Sequence, residues 1–322
     1  MMNLHDKLDG KSIFLTGGTG FIGKNILEFL LKNDIKLNRL TLVTRNIEKF
    51  KRNFPKYTLF KCLDYIESDI SSLSYNKIKY DYIIHAATSV VEKTEHLKLA
   101  ENIVQGTTKV LEFALNSEAK SFINFSSGAV YGKFDTLDNI AENSNPSFSI
   151  DSEGSTYGLS KLFAEHLAYL FALRNKLKVT TLRCFAFAGK YLDPVHFVIG
   201  DFITKALKNQ DIIVNASKNI YRSYLSVDEL VEWTFFLLLH SENRELLYET
   251  YNIGSDEAIS IPDLAFKVRE VLNSDIKISC PNIEDNNIMY YVPNIDKIKS
   301  LGLTINRDLE QVILDTATYF KN

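Results

Sequence analysis

Short apolar runs alternate with amphipathic stretches through the first half of the chain. The runs at 12–16, 39–44, 65–68, 80–85, 121–125 and 179–183 are short and apolar and predict strands. Between most of them apolar residues recur at helical spacing, notably over 20–32, 94–116 and 155–175. This alternation predicts βαβ units and an α/β fold with a doubly wound parallel sheet. After about residue 184 the rhythm loosens: "KYLDPVHFVIGDF" reads as irregular, and helices are expected at 201–208, 227–240 and 261–272. The pattern predicts a smaller, mixed C-terminal region over the carboxyl edge of the sheet, where open α/β folds place ligands. The expected division is 1–184, joined by later contributions from about 222–254, and 185–322.

Composition changes this picture little. A hydrophobic share of 45% and a charged share of 24% fit a soluble globular enzyme. A net charge of −3 offers no footprint for nucleic acid and no basic face for a membrane, so neither is expected as a partner. The three cysteines, Cys62, Cys184 and Cys280, are widely spaced and odd in number, which speaks against a disulfide framework and for a reducing compartment. The opening "MMNLHDKLDGKSIF" lacks the apolar segment of a secretory leader, and "WTFFLLLH" (233–240) is too short to span a bilayer. A cytoplasmic location is expected. No residue is assigned to a metal.

The candidate chemistry starts at "KSIFLTGGTGFIGKNILEFLLKN" (11–33), where Gly17, Gly20 and Gly23 recur every third residue between a strand pattern and a helix pattern. Glycines there allow a tight turn and close backbone approach, and the following helix N-terminus offers N–H groups and a positive dipole end to a pyrophosphate. A plain glycine-rich turn is the other reading of the same spacing.

The spacing GxxGxxG in "TGGTGFIG" resembles the signature of the extended short-chain dehydrogenase/reductase family, whose members often act on nucleotide-linked sugars and have a Rossmann-type sheet. The resemblance implies that Gly17, Gly20, Phe21, Ile22 and Gly23 lie against a dinucleotide. At the end of the second strand, "LTLVTRN" carries Thr44, Arg45 and Asn46 and no carboxylate. Arg45 could pair with a 2′-phosphate, favouring NADP(H), with NAD(H) the alternative if Arg45 is only a solvated charge. "ESDI" (67–70) resembles the family's acidic position and implies Asp69, with Ile70, at the adenine. "IIHAAT" (83–88) resembles the small-residue strand end beneath the phosphates and implies Ala86, Ala87 and Thr88. His85 within it reads as a core histidine. "ENIVQGTTKVLEFA" (101–114) resembles the family's central helix, with Asn102 as a structural support.

"STYGLSKLFAEHLAYL" (155–170) contains Tyr157 and Lys161, four apart and so on one helix face. A nearby ammonium stabilises a phenolate, which lets Tyr157 exchange a proton with a sugar oxygen while a hydride moves. YxxxK pairs are common, and the place of this one in the family pattern is what makes it a candidate centre that also holds the cofactor. In "FINFSSGAVYGK" (122–133) the resemblance implies Ser127, four residues before Tyr131, as the third catalytic group and a substrate contact; Ser126 reads as a strand cap. Family dehydratases carry an Asp-Glu pair just after that hydroxyl, whereas this chain has Gly128 and Ala129. Dehydration, and the family's type of decarboxylation, are therefore not expected.

On the substrate side "NIYRSYLSVDELVEW" (219–233) resembles the family's Arg-containing segment and implies Arg222 at a nucleotide diphosphate, a surface ion pair being the alternative. In "DPVHFVIGDF" (193–202) Phe197 and Phe202 are candidate apolar contacts, and His196 reads as an exposed loop residue. The family's Leu-Arg-x-x-Asn and its Gly-Pro are altered here, with Ala186 and Lys190 at the changed positions. Three functions stay open. The first is an NADP(H)-dependent reductase of a nucleotide-linked 4-keto-6-deoxyhexose. The second is a nucleotide-sugar 4-epimerase with tightly held NAD(P). The third is a cofactor-sensing binding protein. The family resemblance also implies a homodimer and a nucleotide-diphosphate sugar as partner.

Overall fold

Five consecutive buried residues, Ser12–Thr16, form β1. A strand covered on both faces reads as an unbroken apolar run, and this one lies inside a seven-stranded sheet. The other strands are β2 (Arg39–Thr44), β3 (Leu63–Glu67), β4 (Tyr82–His85), β5 (Ser121–Ser127), β6 (Lys178–Cys184) and β7 (Tyr248–Ile253), in the order β7-β6-β5-β4-β1-β2-β3. β1 pairs in parallel with β2 and β4, β2 with β3, and β4 with β5. This is the Rossmann-type parallel sheet expected from the alternation. The structure, a computed structural model, describes residues 4–75, 77–87, 95–280 and 287–321.

The chain divides into two compact units. The first comprises 1–130, 149–183 and 231–250, and the second 131–148, 184–230 and 251–322. In the first, α1 (Phe21–Lys32) follows β1 and α2 (Ile47–Asn53) follows β2. α3 (His96–Asn116) and α4 (Thr156–Asn175) pack on each other and over one sheet face. α4 presents Ala164, Ala168 and Ala172 inward at four-residue spacing, so small side chains let the helix lie close. Beneath it Phe14, Ile83, Phe122 and Val179 form the core with Val110 and Phe113 of α3, and the rings of Phe14 and Phe113 stack at 4.2 Å. The apolar run 233–240 belongs to α6 (Val227–Asn243), where Phe235 stacks on Phe29 of α1 at 5.0 Å. Among the described residues no helix is long and apolar enough to cross a membrane.

The second unit is mixed. Its strand Ile220–Arg222 is antiparallel to Ile259–Ser260 and parallel to Met289–Tyr291. α5 (Val198–Leu207), α7 (Ile261–Val271) and α8 (Leu309–Lys321) pack together. The fully buried Asn252 ties three segments: its Nδ2 donates to the carbonyls of Ile140 and Asn294, and its Oδ1 accepts from the Tyr131 hydroxyl at 2.7 Å. Buried polar groups persist only when partnered, and here one amide side chain satisfies three others.

Several elements depart from the expected bounds. β4 starts at Tyr82, not at 80; Tyr80 just before it is buried, and its hydroxyl donates to Thr41 Oγ1 at 2.8 Å. β5 runs on to Ser127 and carries both serines at its end. α2, β7 and α8 were not expected from periodicity. α2 is only seven residues long, too short for the apolar stripe that reveals a helix.

Candidate functional site

The turn after β1 is built for close approach. Gly17 has φ +73°, and a Cβ there would stand 2.5 Å from the carbonyl carbon and oxygen of Ala86 and 2.6 Å from Ala87 N. A Cβ on Gly23 would meet Gly17 O and Gly18 Cα, each at 2.3 Å. Side chains at either position would push loop, helix and β4 apart. Gly20 is the N-cap of α1, makes no side-chain cap, and no acidic residue occupies the first turn. A helix start of this kind suits an anion.

Beside it lies a cavity of about 330 Å³. Of the residues expected to bind cofactor, Gly17, Gly20, Thr44, Arg45, Asp69, Ile70, Ala86 and Ala87 line it. The cradle that glycine alone permits, the helix start and the exposed Arg45 at the end of β2 fit a dinucleotide. Asp69 caps a short turn, accepting from Ser71 N at 2.9 Å and Ser71 Oγ at 2.8 Å. Those bonds hold its carboxyl below the usual carboxylate range, and the charges of Arg45 and Lys98 act in the same direction.

Phe21, Ile22, Gly23 and Asn46 do not line the cavity. Phe21 and Ile22 open α1, Gly23 serves as the contact that lets the helix touch the loop, and Asn46 caps α2 by accepting from Lys49 N at 2.7 Å. Thr88 lies outside the described residues. The cavity wall also holds residues not expected there. Thr19 comes from the glycine loop, and Ser68 and Ser71 flank Asp69. Leu99, Asn102, Ile103 and Gly106 come from α3, so Asn102 lines the cavity beyond its expected supporting role. Their spacing of three, four and seven is the signal that could have found them.

The second cluster lies at the end of β5. Lys161 is buried, and its Nζ donates to the carbonyl of Phe125 at 2.9 Å, two residues from Ser127. Ser127 is buried too, and its Oγ accepts from Ala129 N at 3.1 Å. Tyr157, half-buried, stands one turn from Lys161 on α4. The Ser126 hydroxyl is buried with no hydrogen-bond partner among the described residues, so it caps nothing. Gly128 and Ala129 continue into a short 3-10 turn. The register pairs His85 with Asn124, which brings the Ala86–Ala87 edge of the cavity alongside Phe125 and Ser126. His85 itself is buried, its Nδ1 2.8 Å from Thr16 Oγ1 and its Nε2 3.4 Å from Thr107 Oγ1.

In the second unit Arg222 is half-buried. Its Nη1 donates to Tyr221 O at 2.8 Å, and its guanidinium lies 5.3 Å from the Tyr291 ring centroid. Phe197 is exposed and precedes α5, whereas Phe202 is buried within that helix. His196 is an exposed loop residue whose Nδ1 lies 2.8 Å from Asp193 Oδ2. Among the described residues no cluster of three or more His, Cys, Asp or Glu could hold a metal ion.

Residues 13–254 match the family model described as the NAD dependent epimerase/dehydratase family. The chain is 30% identical to a dTDP-D-glucose 4,6-dehydratase of Dictyostelium discoideum, an alignment that covers 83% of this chain and 63% of that protein's own length. It is 28% identical to a UDP-N-acetyl-alpha-D-glucosaminuronate decarboxylase of Bacillus cytotoxicus, over 97% of this chain and 98% of that one. Among solved structures, a UDP-glucuronic acid 4-epimerase from Bacillus cereus in complex with NAD superposes with a TM-score of 0.79, 22% identity and 96% of each chain covered, a likeness of fold.

His85 yields a pH test. Burial, with the Lys161 charge adding to it, pushes its pKa down to about 3, below the unfolded value near 6.5. Between those pH values the unfolded chain binds a proton that the native ring refuses, so stability falls as pH drops through the window. The unfolding free energy in urea is expected to be lower at pH 5 than at pH 6.5 by about 2 kcal/mol from this residue. His85→Gln should remove that share of the slope; an unchanged slope would show that the ring is protonated in the native protein.

Proposed function

This chain belongs to the NAD-dependent epimerase/dehydratase family of extended short-chain dehydrogenases/reductases, and on that premise we propose that it is an NADP(H)-dependent oxidoreductase reducing a nucleotide-linked 4-keto-6-deoxyhexose. The observation that supports the reading is the bond from Lys161 Nζ to Phe125 O, which ties the helix bearing Tyr157 to the strand that ends in Ser127, followed by Gly128 and Ala129, which have no proton to transfer. Bound in the cavity, the dinucleotide would supply the hydride. Tyr157 would give its phenolic proton to the keto oxygen, Lys161 would stabilise the phenolate left behind, and Ser127 would hydrogen-bond the same oxygen. Water elimination or loss of a carboxyl group calls for further acid–base groups. The positions after Ser127 have none, which separates this reading from the activities named for the two relatives above.

The preference for NADP(H) rests on a β2 end without a carboxylate and on Arg45 in the cavity wall, whose guanidinium suits a 2′-phosphate. On the substrate side we assign Arg222 to the nucleotide diphosphate and Phe197 to an apolar contact with the nucleotide. A 4-epimerase uses the same Ser, Tyr and Lys without additional acids, so the same observation favours it as the second reading. We also assign a homodimer, because Phe163, Leu170 and Leu173 are exposed along one stripe of α4, at seven- and three-residue spacing.

Four outcomes are expected. Tyr157→Phe should retain dinucleotide binding by fluorescence titration and lose at least about 100-fold in turnover. With the wild type, one NADPH should be oxidised per keto-sugar reduced; conversion without net oxidation would establish the epimerase. Arg45→Asp should move the NADPH/NADH ratio of kcat/KM toward NADH by about tenfold or more, and an unchanged ratio would remove Arg45 from cofactor choice. Phe163→Glu with Leu170→Glu should sediment as a monomer; a wild-type protein that is itself monomeric would refute the dimer.

A further inference from the structure

Tyr157, Lys161 and Glu165 occupy one face of α4 at successive turns, each about 6 Å further along the axis. Lys161 is 5% exposed and Glu165 is 3% exposed. An unopposed carboxylate one turn beyond the ammonium would draw on that cation. Its own field would also work against a negative charge on the phenol. Glu165 is not unopposed. Arg183 of β6 grips both of its oxygens, with Nε 3.2 Å from Oε1 and 3.1 Å from Oε2, and Nη2 2.8 Å from Oε2.

Two titratable groups on neighbouring strands add no charge. His85 on β4 stays neutral, since its pKa is pushed down to about 3. Tyr248 on β7 faces the pair and is pushed up to about 12 by burial, with Glu165 acting in the same direction, so it too is neutral. The buried face of α3 carries Ile103, Gly106, Thr107 and Val110, none of them titratable. The charges of Arg183 and Glu165 offset each other. A buried ion pair is a weak source of stability, and apolar residues of the same size could fill the space. The pair therefore calls for another explanation.

We propose that Arg183 is a positioning residue for the Tyr157–Lys161 centre: by holding the charge of Glu165 it keeps that carboxylate from offsetting the ammonium of Lys161 at the phenol. This rests on the reading of Tyr157 as the proton-transferring group, and it extends that reading to residues that touch no substrate.

The test measures ionisation of the Tyr157 phenol by ultraviolet difference titration. Each protein is compared with the same protein carrying Tyr157→Phe, without cofactor or substrate. Arg183→Met should move the midpoint to higher pH by on the order of one pH unit, and Glu165→Gln should move it to lower pH by a similar amount. The double variant should return it to the wild-type position, and Arg183→Lys should leave it nearly unmoved. Midpoints that stay put in both single variants, or that move in the same direction, would reduce the pair to a structural brace and overturn the proposal. If Arg183→Met does not fold, Glu165→Gln decides alone, since its midpoint either falls or does not. Wild-type turnover by Tyr157→Phe would refute the catalytic reading and leave the titration result standing, so the two failures are separable.

Discussion

The ammonium of Lys161, buried on α4 and bound to the Phe125 carbonyl, is the contact from which the rest of the candidate centre takes its position. A cation so deeply enclosed needs its protons accepted. The carbonyl that accepts one belongs to the strand that ends in Ser127. One hydrogen bond thus fixes the rotation of α4 against β5 and sets Tyr157 one turn away on the same face. The alanine stripe of α4 permits this, because larger side chains there would hold the helix too far off for the lysine to reach.

The glycine loop solves a parallel problem at the other cluster. Its glycines bring three backbone segments to distances that any side chain would forbid. They act as spacers of no thickness, and the helix start they expose faces the cavity. The family relationship and the physical reading meet at this point. The glycines that carry the family signature are also the positions where, on steric grounds alone, the backbone leaves no room for a Cβ.

Much of this was legible in the chain because local signals and tertiary roles agreed. β1 and β2 sit inside the sheet, and continuous apolar runs marked both of their ends correctly. β3, at the sheet edge, is only partly buried, and its start was missed by two residues. β7 reads "YETYNI", too polar to stand out, and it joins a partner some 70 residues earlier that no local pattern could indicate. Among the candidate site residues, those with a distinctive chemistry stand out in the sequence, and Gly17, Arg45 and Asp69 line the cavity while Lys161 is buried against β5. The apolar wall of α3 was not, because Leu99 and Ile103 look like any core positions. An Asn after a strand can face a ribose or cap the next helix, and sequence alone does not show the cap that Asn46 makes to Lys49 N.

Asn252 has a consequence for the order in which the chain matures. Its partners lie 121, 112 and 42 residues away along the chain. On a ribosome, the segment around Tyr131 and Ile140 emerges early and must wait, unclosed, until Asn294 has been made. Contacts at such separations slow folding and leave apolar surface open meanwhile. The second unit is thus completed late in synthesis, and its early segment is the part most in need of protection while it waits.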